Sequence, residues 1–236
     1  MPFRPVLHAE WIKIRTLRSL LGTLSAVLLA TVAFSGLAAT GSDRTDPLFS
    51  VFLGVSFGQI AAVAFGATAV SSDFRGGALR LALSAVPDRR RWYAAKAMAI
   101  ALPVFAVGLV TGLITLVLGR LLLGADGPTW AQGMRGALGC GVYLTLMALL
   151  AAGLAAVLRS GTATLGVLIP FLLTVSFVIG DMSGSVADVL PDRAGQVVLH
   201  TSWDGPLGPW SGLAVTAVWA AAALLAGARS LRRRDA

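Results

Sequence analysis

Charged residues are scarce in this chain of 236 residues, since Asp, Glu, Lys and Arg together make up 13% of it. An ordinary soluble domain has about 25%. Hydrophobic residues reach 56%, and one water-facing globule cannot bury that much apolar surface. The shortage of charge therefore excludes an ordinary soluble domain and indicates a protein embedded in lipid.

Cysteine and histidine are nearly absent. The single cysteine, Cys140, permits no internal disulfide and lies in an apolar run without metal-ligand neighbours. The two histidines, His8 and His200, fall on opposite sides of the membrane in the segmentation below, so they cannot share a metal site. We therefore expect no disulfide framework, no metal site and no cofactor held by this chain.

The sequence also lacks the motifs of nucleotide and hydrolytic chemistry. It contains no Gly-Lys pair, so it has no phosphate-binding loop of the ATPase type. No Gly-x-Gly-x-x-Gly turn of the dinucleotide-binding kind follows a strand. A hydrolytic pair of His200 with Ser183 or Ser202 is disfavoured because no Gly-x-Ser-x-Gly turn frames either serine. We expect the chain not to be an enzyme.

Long apolar runs are what the sequence does contain. A helix needs roughly 20 residues to cross a hydrocarbon core of about 30 Å, and in lipid a helix satisfies its own backbone hydrogen bonds. Six windows have this length: 20–40, 48–70, 97–118, 137–158, 162–180 and 207–228. The first is too long for a signal core, so we expect an uncleaved anchor. The predicted fold is an all-α integral membrane protein with a six-helix bundle in one domain, 1–236.

The basic residues give this bundle an orientation. If the six windows are threaded through a membrane, fifteen of the nineteen Lys and Arg residues fall on one side, and they are Arg4, Lys13, Arg15, Arg18, Arg75, Arg80, Arg89, Arg90, Arg91, Lys96, Arg159, Arg229, Arg232, Arg233 and Arg234. Arg44, Arg120, Arg135 and Arg193 fall on the other side. Cytoplasmic flanks collect Lys and Arg. We therefore predict a multi-pass protein of the cell membrane with both termini in the cytoplasm.

The net charge of +8 raises the question of nucleic acid. The cations are divided among several membrane-flanking places and do not form one basic stripe with interleaved aromatic residues. Anionic lipid or an acidic partner surface is the expected partner, and nucleic acid is not.

Residues 1–19 precede the first window and have a helical apolar pattern. Phe3, Leu7, Trp11, Ile14, Leu17 and Leu21 recur at gaps of three and four. The spacing predicts an amphipathic helix. It is either a plain lead-in to the first span or a helix along the inner leaflet that contacts a partner. Glu10 and Lys13 can pair weakly on its polar side.

The spans carry few polar side chains. No Asp, Glu, Lys, Arg or His lies deep within a window, which disfavours a proton-coupled carrier, since such carriers use ionisable groups in the membrane. Among the remaining polar residues, Gln59, Tyr143 and Thr145 are the candidates for lining a substrate path, with interhelical hydrogen bonding as the alternative. Small residues four apart, such as Ala62 with Gly66, predict close helix packing.

Residues 71–96 form the most informative loop. Asp88 is a good N-cap for the following helix, and Lys96 can extend its amine toward the headgroups. The loop reads Ser71-Ser72-Asp73-Phe74-Arg75-x-Gly77, then Pro87-x-Arg89 followed by Lys96, and Glu10-x-x-Lys13 precedes it in the leader. With the six-span plan and a late outer loop, these motifs make the chain resemble the type 2 permeases of ABC transporters, of the drug and antibiotic exporter kind.

The resemblance implies a permease subunit of an exporter. It forms the path for a hydrophobic or amphipathic substrate and is driven by a separate cytoplasmic ATPase that binds ATP and Mg²⁺. Six spans form half of such a pathway, so we expect a homodimer or a pair with a similar permease, bearing two ATPase subunits. The resemblance assigns docking on the ATPase to Glu10, Lys13, Asp73, Phe74, Arg75, Gly77 and Arg80.

The outer loop, 181–206, is too apolar for a free linker and too short to span. We expect it to lie in the outer leaflet or dip back into it, either plugging the bundle or gating it.

Two other functions of the whole chain stay open. An importer permease is one, since Leu154-Ala155-Ala156 faintly resembles the importer's Glu-Ala-Ala loop. A non-transporting sensor or immunity protein is the other.

Overall fold

The computed structural model describes residues 3–41, 46–75, 78–86, 88–175, 188–202 and 205–233. Within these ranges the chain is helical or lies in turns and contains no strand, so the prediction of an all-α protein is confirmed. The α-helices of these ranges are α1 (Phe3–Thr16), α2 (Arg18–Ala39), α3 (Pro47–Phe52), α4 (Val55–Ser71), α5 (Ala78–Ala85), α6 (Arg89–Leu123), α7 (Trp130–Leu158), α8 (Gly161–Pro170), α9 (Pro191–Gln196) and α10 (Pro209–Arg233). Short 3-10 turns occupy Ser72–Phe74, Gly124–Asp126 and Val197–Leu199, and a π-helical turn occupies Phe171–Val175.

Five of these helices are long and apolar enough to cross a membrane. They are α2, α4 together with the 3-10 turn after it (Val55–Phe74), α6, α7 and α10. The predicted window 162–180 corresponds to a shorter apolar helix, Gly161–Thr174, which combines α8 with most of the π-helical turn after it. Residues 176–180 lie outside the described ranges. The structure thus supports a helical membrane protein, and the count of six spans stays a prediction.

The second predicted window, 48–70, contains two helices. Helix α3 ends at Phe52 and α4 begins at Val55, because the chain turns where it meets α2. The Gly54 amide donates to Ser35 Oγ at 3.1 Å, and a β-carbon on Gly54 would lie 2.7 Å from the Ser35 amide nitrogen. A residue without a side chain lets the two helices approach this closely.

Helix α6 begins well before the predicted window 97–118. Asp88 caps it as predicted, since its carboxylate accepts hydrogen bonds from the amides of Arg90 at 3.0 Å and Arg91 at 3.3 Å. The helix has 35 residues, and its length of about 50 Å exceeds a hydrocarbon core of about 30 Å. It is therefore longer than one crossing requires, and its basic first turns, with Trp92 and Lys96, precede the predicted window.

Helix α7 forms the centre of the bundle and packs against α4, α6 and α10. Of its most apolar stretch 67% is buried, against 28% for α2 and for α10. Small residues allow this packing, as predicted: a β-carbon on Gly66 of α4 would overlap the carbonyl oxygen of Ala148 on α7. Most apolar side chains of the peripheral helices α2 and α10 are therefore not buried by the protein, as expected for helices that face lipid.

The described ends of the chain meet at one end of the bundle, which we call the leader end. Helix α1 packs on α6, and the Arg89 guanidinium donates to the Leu231 carbonyl of α10 at 2.6 Å. The opposite end, which we call the far end, holds α3, α9 and the turn before α7. Both proposed functional regions lie at these two ends.

Candidate functional site

Four charged side chains converge at the leader end, and we call them the charge cluster: Glu10 and Lys13 of α1, Asp73 of the turn after α4, and Lys96 of α6. The Lys96 amine contacts Glu10 Oε2 and lies 2.6 Å from Asp73 Oδ2. The Lys13 amine contacts Asp73 Oδ1. The cluster thus joins the leader helix, the loop after α4 and the base of α6.

The charge cluster is buried and balanced. The side chains of Lys96, Asp73 and Glu10 are exposed by only 3%, 5% and 10%, and that of Lys13 by 29%. Two carboxylates face two ammonium groups, which is necessary because an unpaired buried charge is strongly destabilising. The Trp92 ring also lies 5.6 Å from the Lys96 amine and adds a cation–π contact.

The pairing differs from the expected one in two respects. Lys96 was expected to reach out toward the headgroups, and Glu10 to pair with Lys13 along the leader. Glu10 instead lies on the buried face of α1 between Val6 and Ile14, because these residues are four apart and face the core. The buried carboxylate therefore requires a cation inside the protein, and Lys96 supplies it.

The other residues assigned to docking differ in how exposed they are. Phe74 is half-buried, and the Arg159 guanidinium lies 5.6 Å from the centre of its ring. Arg75 is exposed. Arg80 lies on α5, where only its backbone is described, and Gly77 lies outside the described ranges. Among the docking residues with a described side chain, Arg75 is thus the one fully presented to a partner.

At the far end, a cavity of about 420 Å³ opens between α4, α9 and the π-helical turn that follows α8. It is lined by Phe49, Ser56, Phe57, Gln59, Leu172, Leu173, Asp192, Arg193, Gln196 and His200. Its walls are mainly aromatic and aliphatic, with polar groups at a few positions. A size of about 300–1,000 Å³ and this mixture are typical of sites for small molecules.

The polar wall of this cavity includes Ser56, Gln59 and Gln196, and a chain of hydrogen bonds connects them through Tyr143, which is fully buried and is not among the lining residues. Ser56 Oγ donates to Gln196 Oε1 at 3.2 Å, and Gln196 Nε2 donates to Tyr143 Oη at 3.2 Å. The Tyr143 hydroxyl in turn donates to Gln59 Oε1. Sequence reasoning named Gln59 and Tyr143, and the structure brings them together; Thr145 bonds to Gly141 of its own helix at 2.7 Å and is not among the lining residues.

Gln196 is the functional candidate that sequence reasoning missed, because it belongs to the outer loop, which was interpreted from its apolar residues alone. Lys96 was noticed but given a different role. Its amine was expected among the headgroups, and the structure places it between Glu10 and Asp73. Both residues act across long sequence separations, which local patterns do not reveal.

The described part of the outer loop is fastened to α3 by Asp46. The Asp46 carboxylate caps α3 at Phe49 and accepts from the Thr201 hydroxyl at 2.7 Å, and its other oxygen lies 3.0 Å from His200 Nδ1. Arg135 of α7 donates to the His200 carbonyl at 2.5 Å. The loop residues Val197, Val198 and Leu199 are buried, so this segment packs on the bundle and is not a free linker.

The pKa values of the pair are both shifted down. Burial raises the pKa of Asp46, but hydrogen bonds from Phe49, Thr201 and His200 outweigh this and hold it below the ordinary value. Burial lowers the pKa of His200, and the neighbouring Asp46 reverses this only in part. The docked loop therefore favours an ionised Asp46 and a neutral His200.

Acid should weaken the docking of the outer loop. A group whose pKa is lowered by folding contributes stability above its unfolded pKa, about 6.5 for His, and this contribution is lost as the pH falls through the folded pKa. We expect hydrogen exchange of residues 190–202, corrected for the intrinsic pH dependence, to become faster below about pH 6.5. His200→Asn, which keeps an amide that can donate to Asp46 but does not titrate in this range, should remove most of this change. An equal acceleration in the variant would contradict the role of His200.

No protein-family model and no curated protein matches this chain. Its class therefore rests on the fold, which is that of an all-helical membrane protein with five helices fit to cross a bilayer. In the described ranges, no group of three His, Cys, Asp or Glu side chains is arranged to hold a metal ion. The functions of the charge cluster and of the far-end cavity must therefore be inferred from their geometry.

Proposed function

We propose that the chain is the permease subunit of an ABC-type exporter, driven by a separate ATPase. The observation that carries the proposal is the charge cluster, which joins the leader helix and the loop after α4, the two segments that the family resemblance assigns to ATPase coupling, to the base of α6. The leader helix, the loop after α4 and the base of α6 are thereby one mechanical unit. A force applied to the loop would be transmitted to α1 and α6 together.

In this proposal the residues of the coupling region have two different tasks. Glu10, Asp73 and Lys96 are buried, so they position the loop and the leader. Arg75 is exposed and, with Arg80 and Gly77 of the predicted docking set, would contact the ATPase directly. Nucleotide binding in the partner would shift the bundle between states with different affinity for substrate.

The far-end cavity supports a path for a hydrophobic or amphipathic substrate. Phe49, Phe57 and Leu172 provide an apolar wall, and the hydrogen-bonded wall at Gln59 would orient a polar group. The cavity lies between α4 and the π-helical turn after α8, which contributes Leu172 and Leu173 to its lining. A second permease packed along this side would enclose the path, in keeping with a homodimer or a paired permease.

The proposal includes a sixth crossing and cytoplasmic termini. Helix α8 begins at the leader end, where Gly161 packs against Ser71, and its continuation reaches the cavity at the far end. Helix α9, in the next described range, also lies at the far end, and α10 leads back to the leader end. This course favours a sixth passage through the bilayer, with the basic leader end in the cytoplasm.

The double substitution Arg75→Glu with Arg80→Glu tests the docking assignment. We expect it to abolish co-purification of the ATPase from native membranes, because two cations that face an acidic partner become acids and like charges across an interface repel. The amount of permease in the membrane should not change. The measurement is the ratio of ATPase to permease after affinity purification, together with substrate-stimulated ATP hydrolysis.

A matched control reverses the same charge elsewhere at the leader end. Arg90 and Arg232 are exposed, and Arg90→Glu with Arg232→Glu should leave the ATPase bound. If both variants lose the ATPase equally, the effect is one of net charge and not of the docking residues. If both variants retain the ATPase, the docking assignment is wrong. Wild-type protein that purifies with a kinase, or with an extracytoplasmic binding protein, would favour the sensor or the importer.

A further inference from the structure

A groove at the leader end lies between α7 and the last turns of α10. It has a volume of about 560 Å³ and is lined by Val157, Ala226, Arg229, Ser230 and Arg233. It is separate from the charge cluster and from the far-end cavity, and the function proposed above uses none of these residues. Its floor is apolar and its rim is cationic.

The cationic rim is suited to a phosphate group. Arg229 and Arg233 are four apart on α10 and therefore project on the same side of the helix, and both are exposed. Among the described residues, no carboxylate forms a salt bridge with either one. Guanidinium groups bind phosphate oxygens with two parallel hydrogen bonds, so two neighbouring arginines can hold one phosphate from two sides.

A polar atom inside the groove also points to a ligand. Ser230 lies between the two arginines, and its hydroxyl oxygen is buried without a hydrogen-bond partner in the described structure. A buried hydroxyl normally has a partner. A ligand oxygen between Arg229 and Arg233 would provide one.

The surroundings of the groove identify the kind of phosphate. Helix α7 ends at Leu158, and Leu158 and Leu225, which adjoin the lining residues Val157 and Ala226 in sequence, are exposed by 39% and 60%. The groove therefore lies where the apolar surface of the bundle meets its basic end. A ligand there needs an anionic head for the arginines and an apolar body for the leucines.

We propose that this groove binds the headgroup of an anionic phospholipid. The phosphate lies between Arg229 and Arg233 and accepts from Ser230, and the acyl chains run along Leu158 and Leu225. Basic pockets between helices at the cytoplasmic side are known to hold such headgroups. The site does not depend on the proposed transport function, since it requires only that the bundle is embedded in a bilayer.

Lipid titration of the purified full-length protein in a neutral detergent tests the site. Native mass spectrometry would follow binding of phosphatidylglycerol and of phosphatidylcholine with the same acyl chains. We expect phosphatidylglycerol to bind more tightly and to raise the unfolding temperature more. Glycerol 3-phosphate at the same concentration should give no such shift, because it has the phosphate without the chains. Equal binding of the two lipids, or an equal shift with glycerol 3-phosphate, would overturn the proposal.

Variants locate the binding. Arg229→Gln with Arg233→Gln should weaken phosphatidylglycerol binding about thirtyfold, taking each arginine as a typical membrane-surface cation. Arg15→Gln with Arg18→Gln removes the same charge from exposed positions at the same end and should leave the affinity near the wild-type value. Wild-type affinity in the first variant would also overturn the proposal. If that variant does not fold, Arg233→Gln alone replaces it, since Arg233 lies at the exposed end of α10.

Discussion

Lys96→Met is expected to lower the free energy of unfolding by about 3–5 kcal/mol, the usual cost of removing one partner from a buried ion pair. Methionine fills a similar volume, so the loss is electrostatic. Glu10 and Asp73 would remain buried with Lys13 as their one cation in the cluster, and Lys13 contacts Asp73. The measurement is the thermal unfolding of the purified protein in detergent, with proteolysis of the leader helix as a local readout.

A second substitution should reverse much of this effect. Glu10→Gln with Lys96→Met removes one charge of each sign and leaves Lys13 paired with Asp73. Replacing both members of a buried pair is often neutral or stabilising, so the double variant should be more stable than Lys96→Met alone. Arg15→Gln, which removes an exposed cation from the same helix, should change stability by less than about 0.5 kcal/mol. A double variant less stable than Lys96→Met would show that the cluster is not an electrostatic unit.

The same pair of variants separates stability from coupling. If the cluster transmits motion, the double variant should fold and bind the ATPase but lose part of its substrate-stimulated hydrolysis, because α1 and α6 are no longer fastened to each other by Lys96 and Glu10. If the cluster only stabilises the fold, hydrolysis should recover along with stability. This comparison requires the partner ATPase and therefore depends on the proposed function.

Sequence reasoning located most of the bundle because span length and apolar composition are local properties. The helices α2, α6, α7 and α10 each contain or closely match a predicted window. The window 48–70 was interpreted as one helix because its composition is apolar throughout. Its break at Gly54 arises from the close approach of α2 and from the hydrogen bond to Ser35, which are contacts between separate segments.

The candidate sites were less predictable for a related reason. Glu10, Asp73 and Lys96 were each noticed, yet their pairing depends on how α1 docks against α6, since Glu10 and Lys96 are 86 positions apart in the sequence. Gln59 and Tyr143 were named because they are polar side chains within spans, which either line a path or bond between helices. The structure shows a direct hydrogen bond between them. The further bond from Gln196 to Tyr143 depends on an outer loop whose position is not encoded in any short motif.

Gly66→Ala should be strongly disruptive for so small a substitution. The new β-carbon would overlap the Ala148 carbonyl oxygen and lie 2.8 Å from its carbonyl carbon, and both atoms belong to the backbone of the central helix α7. A side chain could rotate away, but a helix backbone must move as a whole. We therefore expect a loss toward the upper end of the roughly 1–3 kcal/mol usual for overpacking, measured as thermal unfolding in detergent.

Gly22→Ala is the matched control, because the same methyl group on α2 would meet no atom within 4 Å. Alanine is favoured over glycine within a helix by roughly 0.5–1 kcal/mol, so this variant should be slightly more stable than the wild type. If Gly66→Ala lowers the stability and Gly22→Ala raises it, the same added methyl group has opposite effects at the two positions. This result would show that α4 and α7 are in backbone contact at Gly66. Such contact matters in lipid, where apolar burial gives helices no drive to associate. Equal stability of the two variants would mean that α4 lies farther from α7 than Gly66 requires, and that the far-end cavity beside α4 has a different shape.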